Sequence, residues 1–239
     1  DQSNLVFQYS LNFITTKYQN VRIMGMDQVL VHLGKNYYCA PNNKAYWIKP
    51  DAVVRLCEQV RRTGNVLLGK KAIPLILTDS TEVNWINFYD LKSEYTVLYF
   101  WDPGCTHCQV NTPQLQTLYT QKFKPRNIEV YAVARATGDD FEAWKKFIRD
   151  HQLTFTNVGL TKAVYDQYMK DPRPLLTHTT SESLNYSDTY DVFSTPLILV
   201  LDKDKIIRYK QISISQLEQV MDELTGHAGD PKLFPEETE

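Results

Sequence analysis

One stretch of the chain leads from an apolar segment directly to two closely spaced cysteines. Residues 96–101 (Thr-Val-Leu-Tyr-Phe-Trp) have the length and the apolar composition of a buried strand. They run through Asp-Pro-Gly at 102–104 into Cys-Thr-His-Cys at 105–108, where we expect a helix that continues through Leu118. The sequence therefore predicts a strand that turns sharply into a helix whose first turn carries both cysteines.

Two cysteines in this position have the arrangement that disulfide exchange requires. The reaction needs an accessible thiolate and a second thiol close enough to resolve the mixed disulfide. At the start of a helix, the first cysteine faces solvent at the positive end of the helix dipole, and the second lies one turn further on. We therefore predict that Cys105 is the nucleophile and Cys108 the resolving thiol. His107 beside them, as a cation, would favour the thiolate.

Other uses of this cysteine pair fit the sequence less well. A zinc ribbon needs a second close pair, which Cys39 and Cys57 do not provide. Covalent haem attachment needs a His directly after the second cysteine, where this chain has Gln109. A purely structural disulfide between Cys105 and Cys108 would close so short a loop that it would stabilise the fold little. We expect neither a metal nor another cofactor.

The composition argues against two broad classes of protein. The 239 residues carry a formal net charge of −2 with both signs interspersed, unlike the basic surface of a nucleic-acid binder. The longest apolar runs, such as 97–101 and 197–201, have the length of strands and are far too short to span a membrane. The chain begins at Asp1 without the segments of a signal peptide. We interpret this as a mature or trimmed sequence, not as a sign of a cytoplasmic protein.

The first 65 or so residues have helical patterns. We predict a second helix that starts near Asp27 and a third that runs from Pro50 to Gly64, with a loop at 38–49 between them. The first helix carries an apolar stripe, which we expect to lie in a core, a protein-docking face being the alternative. The stripe consists of Leu5, Val6, Tyr9, Phe13 and Tyr18.

From Gly69 onwards the pattern changes to strands that alternate with helices. We predict hairpins at 75–86 and 197–209 and a buried strand at 128–134. One further helix is expected to be capped by Asp139 or Asp140 and to carry Phe141, Trp144 and Phe147. The last helix is expected to start with a capping box, Ser215 to Glu218, and to end near Gly226. This order predicts an α/β sandwich, interrupted by an insertion at about 159–190.

These patterns suggest three units: a helical N-terminal domain or cap at 1–66, an α/β domain at 67–227 and a mobile acidic tail at 228–239. Within the first unit, Cys57 lies on an apolar helical face and is expected to be a buried thiol, although Cys39 could pair with it in an oxidising compartment. Within the insertion, His178 is expected to be a loop residue without a partner.

Several motifs of the α/β unit resemble one branch of a known superfamily. Residues 97–108 resemble the active-site region of the TlpA-like, ResA-like thioredoxins, and Pro113 matches the helix proline of that family. Ser-Thr-Pro at 194–196 resembles the family's cis-proline loop, which faces the cysteines and receives the backbone of the substrate. The resemblance covers about 67–224. The helices before it resemble, less closely, an uncharacterised domain that precedes such thioredoxin domains in some Gram-negative envelope proteins.

The resemblance implies a thioredoxin-like fold and a thiol–disulfide oxidoreductase that acts on protein thiols or disulfides and is recycled by a redox partner. It implies that Thr195 and Pro196 orient the substrate, that Trp101 borders the site, and that Thr106 and His107 tune it. Such relatives are exported and often tethered to a membrane. We therefore expect a periplasmic or otherwise extracytoplasmic protein, with any tether outside this sequence.

Three positions depart from the family pattern. Gly104 replaces the Trp that commonly precedes the first cysteine, which should leave Cys105 more open. Tyr99 stands in place of the buried acid of thioredoxin, and Asn111 in place of the acid of the ResA-like branch. Deprotonation of Cys108 must therefore use water, His107 or another group such as Glu129, or else exchange is slow.

Two other functions compete with this interpretation. A peroxidase of the related peroxiredoxin branch needs a Thr three residues before its nucleophilic cysteine, where this chain has Asp102. An adaptor would bind a partner through its N-terminal domain and would not use its cysteines. The direction of electron flow stays open: the branch resemblance suggests a reductant, whereas His107 suggests an oxidant or isomerase.

Overall fold

Three helices form the N-terminal part of the structure, a computed structural model that describes residues 4–21, 23–41, 43–135 and 140–234. Helix α1 spans Leu5–Gln19, α2 spans Asp27–Leu33 and continues as a π-helical turn to Tyr38, and α3 spans Pro50–Asn65. All three helices were predicted. They enclose a small core of Leu11, Leu30, Val31, Tyr38, Ala45, Leu56 and Val60.

A disulfide bond between Cys39 and Cys57 joins the loop after α2 to α3. The expectation that Cys57 is a buried free thiol is therefore wrong. The π-helical turn ends at Tyr38, and Cys39 follows it directly and lies against α3. The Cα atoms of Cys39 and Cys57 are 5.6 Å apart. Sequence spacing alone does not determine which cysteines meet.

The apolar stripe of α1 does not lie in the core, contrary to the prediction. The core-facing side of this helix instead presents Leu11 and Thr15, whose hydroxyl donates to Tyr38 Oη at 3.0 Å. Tyr18 is half-buried. Four members of the stripe, Leu5, Val6, Tyr9 and Phe13, are 58–78% exposed.

Seven strands form a single mixed sheet in the order β2-β1-β5-β4-β3-β6-β7. Their bounds are β1 Ile76–Asp79, β2 Trp85–Asn87, β3 Tyr95–Trp101, β4 Ile128–Ala134, β5 Thr156–Gly159, β6 Leu197–Asp202 and β7 Ile207–Lys210. The pairs β3–β4 and β4–β5 are parallel, and the two predicted hairpins, β1–β2 and β6–β7, are antiparallel. The predicted thioredoxin-like α/β arrangement is confirmed.

Helices cover both faces of the sheet. Along β3, side chains alternate between the two faces, so that Val97, Tyr99 and Trp101 enter one core while Leu98 and Phe100 enter the other. The first face is covered by α4 (Thr106–Leu118), α5 (Asp140–Asp150) and α9 (Ile214–Leu224). The second face is covered by α6 (Lys162–Lys170), α7 (Ser181–Leu184) and α8 (Tyr186–Thr189).

Strand β5 was not predicted from the sequence, and the predicted insertion at about 159–190 overlaps it only at Gly159. Residues Thr156–Gly159 form β5, which pairs with β4 and β1 in the middle of the sheet. Only four residues long and with polar Thr156 and Asn157, it lacks the apolar run that predicts a buried strand. The helices after Gly159 then cover the second face of the sheet.

Asp139, one of the two predicted caps of α5, lies outside the described residues.

Two details of the C-terminal region also differ from the prediction. The capping box of α9 is formed by Ser213 and Gln216, not by Ser215 and Glu218. Glu218 is instead fully buried and accepts the backbone N–H groups of Leu233 and Phe234 at 2.8 and 2.9 Å. The segment after α9 therefore packs against the core as far as Phe234, and the expected mobile tail does not begin at residue 228.

Polar contacts join the N-terminal helices to the sheet. Arg62 of α3 pairs with Asp191 at 3.3 Å, and Lys210 of β7 pairs with Asp27 and donates to the carbonyl of Val66. The connector at 69–72 hydrogen-bonds to the outer edge of β7, where the backbone N–H of Ile207 donates to the carbonyl of Lys70 at 2.8 Å. These contacts set the position of α3 beside the loop that precedes β6.

Candidate active site

The two cysteines stand at the start of α4, directly after the buried strand β3. Cys105 has extended backbone angles and occupies the N-cap position, and α4 itself begins at Thr106, one residue later than predicted. The backbone N–H of Cys108 points to Cys105 Sγ, with 3.4 Å between the two atoms. Both thiols are free; Cys105 is partly exposed and Cys108 is completely buried. This is the difference in access that the predicted roles of nucleophile and resolving thiol require.

The loop before β6 faces these cysteines. The bond between Thr195 and Pro196 is cis, as the family resemblance implied. The carbonyl oxygen of Thr195 accepts a hydrogen bond from Cys105 Sγ at 3.2 Å, although the two residues are 90 positions apart in the sequence. The fold thus brings together two of the motifs that the sequence presents separately.

The surroundings shift the pKa values of the two thiols in opposite directions. Burial by itself would raise the pKa of Cys105, but hydrogen bonds from the Cys108 thiol and from the backbone N–H groups of Cys108 and His107 outweigh it and hold this pKa below its usual value. Burial raises the pKa of Cys108 to about 12, and its hydrogen bond to Cys105 adds to the effect. Of the two thiols, Cys105 is therefore the one that ionises first as the pH rises.

The other predicted site residues lie at different depths. Thr106 and His107 are exposed on the first turn of α4, where they can contact a substrate. Trp101 is 1% exposed and packs in the same core as Cys108. It therefore lies below the surface of the site and is not open to a substrate. Pro113 lies inside α4, at the position that the resemblance implied.

A pair of hydroxyl groups occupies the region where the thioredoxins have their buried acid. Tyr99 Oη lies 2.9 Å from Thr112 Oγ1, and both residues are completely buried. Burial raises the pKa of Tyr99 far above its usual value, so that its hydroxyl stays protonated. Tyr99 can therefore donate a hydrogen bond but cannot act as a base near neutral pH.

Glu129 is too distant to accept a proton directly from Cys108. It pairs with Thr96 near the start of β3, whereas the cysteines follow Trp101 at the other end of that strand. Five residues of strand correspond to about 16 Å. Glu129 instead accepts a hydrogen bond from the hydroxyl of Tyr119 at 2.9 Å. Water and His107 are the two remaining candidates from the sequence analysis.

Two side chains next to the cysteines hold the turn before Cys105, a role that was not predicted for them from the sequence. Asp102 Oδ1 accepts the backbone N–H of Gly104 at 2.7 Å, and Gln109 donates to the carbonyl of Pro103 at 3.0 Å; both bonds hold the turn before Cys105. The Asp-Pro-Gly sequence is a signal for such a turn. Away from the site, His178 stacks on Trp85 with 5.7 Å between ring centroids, so that the expectation of a loop residue without a partner is wrong.

Comparison with known proteins agrees with this geometry. The profile of the AhpC/TSA family matches residues 68–210, which contain the sheet, both cysteines and the cis-proline loop. The chain belongs to the AhpC/TSA family. The matched region leaves out α1 to α3, which precede it.

Two relatives of this AhpC/TSA protein are named for thiol–disulfide chemistry. It is 27% identical over 161 residues to the thiol-disulfide oxidoreductase ResA of Bacillus cereus (strain ZK / E33L), covering 67% of this chain and 76% of that protein. It is 35% identical to a solved domain of a possible thiol-disulfide isomerase from Cytophaga hutchinsonii ATCC 33406, with a TM-score of 0.52, covering 67% of this chain and 94% of that domain.

A third comparison extends over more of the chain. A thioredoxin-like protein from Bacteroides caccae ATCC 43185 matches with a TM-score of 0.58 and 16% identity, covering 88% of this chain and 75% of that protein. At this identity the likeness shows the fold alone.

Together, these relatives identify the AhpC/TSA protein as a thiol–disulfide oxidoreductase of thioredoxin-like fold. They do not favour the peroxidase alternative. At the position where that chemistry needs a Thr, the carboxylate of Asp102 is engaged with the backbone of Gly104.

Proposed function

We propose that this oxidoreductase exchanges the Cys105–Cys108 dithiol and disulfide with protein substrates in the cell envelope. In the reducing direction, the Cys105 thiolate attacks one sulfur of a substrate disulfide, which forms a mixed disulfide and releases the other substrate sulfur as a thiolate. The Cys108 thiolate then attacks Cys105 Sγ, which closes the Cys105–Cys108 disulfide and releases the second substrate thiol. Oxidation of a substrate dithiol runs through the same steps in reverse.

The observation that carries this proposal is the position of Cys105 Sγ between two groups. On one side it lies 3.4 Å from the backbone nitrogen of Cys108, and on the other it lies 3.2 Å from the carbonyl oxygen of Thr195. A substrate sulfur bonded to Cys105 would lie against residues 195–196. In this proposal Thr195 and Pro196 orient the substrate backbone, and the exposed Thr106 and His107 tune the thiolate.

Two observations support an extracytoplasmic location. The disulfide between Cys39 and Cys57 packs against the core of the N-terminal helices and has the character of a structural bond, which persists in oxidising compartments. The sequence also resembles exported proteins. In the part of the chain that the structure describes, we find no helix with the length and apolar character of a membrane span. In this proposal a separate redox partner recycles the pair.

Trapping of mixed disulfides tests the proposal most directly. In a Cys108→Ala variant the second step is blocked, so that substrates should remain bound to Cys105 and should be released by dithiothreitol. The Cys105→Ala variant is the matched control and should trap nothing. If the Cys108→Ala variant captures no envelope proteins beyond those captured by this control, the proposal is wrong. A Cys105→Ser variant that keeps its biological role would instead favour the adaptor.

The reduction potential of the pair determines the direction of electron flow. A value near −270 mV corresponds to a reductant, and a value of about −120 to −180 mV corresponds to an oxidant or isomerase. The low pKa of Cys105 stabilises the reduced form, which moves the potential towards the oxidising end of this range. Equilibration with glutathione buffers, read by alkylation and mass spectrometry, measures it.

A further inference from the structure

A cleft of about 1100 Å³ runs between the N-terminal helices and the sheet. One wall is formed by the end of α1, the start of α2 and one side of α3; the other is formed by β6, β7 and the residues before α9. This volume is slightly larger than the range of small-molecule sites, about 300–1000 Å³. The cleft is therefore large enough for a segment of polypeptide.

One end of the cleft lies beside the cis-proline loop that faces the redox centre, although neither Cys105 nor Cys108 lines it. Its lining includes Ser194 and Pro196 of the cis-proline loop, and also Asn111, which lies on α4 six residues after Cys105. A polypeptide whose cysteine is bonded to Cys105 lies against the same loop. The residues on one side of that cysteine would then extend along residues 194–196 into the cleft.

The wall that α3 contributes has a defined chemistry. Arg55, Gln59 and Arg62 all line the cleft, and their spacing places them on one face of the helix. Amide side chains are well represented in the lining, among them Asn20, Gln59, Asn111 and Gln211. Amides both donate and accept hydrogen bonds, which suits the backbone of an extended peptide.

The charges of the cleft are balanced except at one position. Lys210 pairs with Asp27 and Arg62 pairs with Asp191, and both acids also line the cleft. Arg55 pairs at 3.2 Å with Asp51, which is not part of the lining, and both side chains are 69% exposed. An exposed pair of this kind is weak, so that a carboxylate in the cleft can replace Asp51 as the partner of Arg55.

We propose that the N-terminal helices form the second wall of a substrate cleft, which binds an extended polypeptide segment next to the reacting cysteine and favours an acidic side chain near Arg55. This proposal rests on the function proposed above. It assigns to α1–α3 the selection of substrates, whereas the cysteines and the cis-proline loop carry out the exchange.

Peptides of opposite charge test the selection. The probes are two short peptides, each dimerised through a single cysteine, with Glu flanking the cysteine in one and Lys in the other. The reduced wild-type protein should react faster with the Glu peptide. In Arg55→Glu the ratio of the two rates should fall by at least about tenfold, since like charges brought together at an interface repel each other. Arg55→Lys should keep the preference of the wild type.

The matched control is Lys35→Glu, which makes the same change of charge at an exposed residue of the N-terminal helices outside the cleft. It should leave the ratio close to that of the wild type. Because each ratio compares two substrates on one variant, a general loss of folded or active protein cancels. A ratio that changes equally in Arg55→Glu and Lys35→Glu would overturn the proposal.

A trapped complex tests the location independently. The Cys108→Ser variant should retain a peptide on Cys105, and a photoreactive benzophenone side chain a few residues from the peptide's cysteine should then crosslink to residues 18–21 or to α3. Crosslinks found only outside the cleft would overturn the proposal while leaving the proposed function intact. A wild-type protein that reacts with neither peptide nor glutathione disulfide would instead refute the proposed function, and the cleft proposal with it.

Discussion

Tyr99 and Thr112 share a buried hydrogen bond of 2.9 Å in the core that also contains Cys108. Thr112 follows Cys108 by one turn of α4, so that the hydroxyl pair lies directly behind the resolving thiol. The acid that thioredoxins bury in this region is thus replaced by two neutral hydroxyl groups that hydrogen-bond to each other.

This pair should contribute measurably to stability. We expect Tyr99→Phe to lower the free energy of unfolding by about 1–3 kcal/mol, because the buried hydroxyl of Thr112 loses its partner. Adding Thr112→Val removes the second polar group and should recover part of the loss. Urea unfolding of the single and double variants measures both effects. A Tyr99→Phe variant as stable as the wild type would show that Thr112 does not depend on this bond.

The two thiols of the reduced protein should differ in their reactivity with pH. Alkylation requires the thiolate, and the pKa of Cys105 is lowered. The rate at which Cys105 reacts with iodoacetamide should therefore increase at a lower pH than the rate for a free cysteine, whose pKa is about 8.5. Cys108, with a pKa of about 12, should stay unmodified. Peptide mapping after alkylation distinguishes the two sites. In Cys105→Ser, alkylation near pH 8 should be nearly absent; rapid modification of Cys108 there would contradict its burial.

The buried carboxylate of Glu218 should make the fold sensitive to acid. Burial alone would raise the pKa of Glu218, but the ammonium of Lys122 and the N–H groups of Leu233 and Phe234 hold it below its usual value. Its stabilising contribution is therefore present above the unfolded pKa, about 4.3, and is lost as the pH falls through the lower folded value. We expect Glu218→Gln to cost about 3 kcal/mol at neutral pH and to flatten the acid side of the stability profile.

Urea midpoints measured across this pH range check the prediction. Glu223→Gln makes the same chemical change at an exposed position of the same helix and should alter neither the stability nor its pH dependence by much. Equal losses in the two variants would mean that the pairing with Lys122 contributes nothing specific.

Removal of the disulfide should weaken the N-terminal helices without affecting the redox centre. Cys39 and Cys57 are 18 residues apart, and a bond that closes a loop of this length stabilises a fold by about 3 kcal/mol. We expect the Cys39→Ser, Cys57→Ser double variant to lose about this amount in chemical unfolding, and to exchange glutathione disulfide at the wild-type rate below its unfolding transition. A loss of exchange in the folded variant would show that these cysteines take part in the reaction.

Where local sequence contains the whole signal, prediction from the sequence succeeds. The step from β3 to α4 needs only an apolar run, a turn sequence and the helix that follows. The sequence was therefore enough to predict that Cys105 and Cys108 lie at the start of that helix. The cis bond before Pro196 followed from resemblance, since its position opposite Cys105 depends on the complete sheet. Likewise, β5 forms because it pairs with β4, and its own residues do not predict a strand.

Other features depend on contacts between distant segments. Leu5 and Phe13 form a regular apolar stripe, yet α2 and α3 pack on the other side of α1. The pairing of Cys39 with Cys57 depends on where a π-helical turn ends. Arg55 and Asn111 meet at one cleft only because the N-terminal helices dock beside the cis-proline loop. The sequence around Arg55 or Asn111 does not indicate that the two residues line the same cleft.

The connector that hydrogen-bonds to β7 also bears on how the protein avoids aggregation. Unpaired backbone groups on an edge strand are a template for pairing with a second chain. At one edge, the connector at 69–72 already occupies the N–H and carbonyl groups of Ile207. At the other edge, β2 is only three residues long, and the ring of Trp85 is stacked against His178. An open sheet of seven strands thus offers little to a neighbouring chain, and concentrated protein should form no cross-strand assemblies while the connector stays in place.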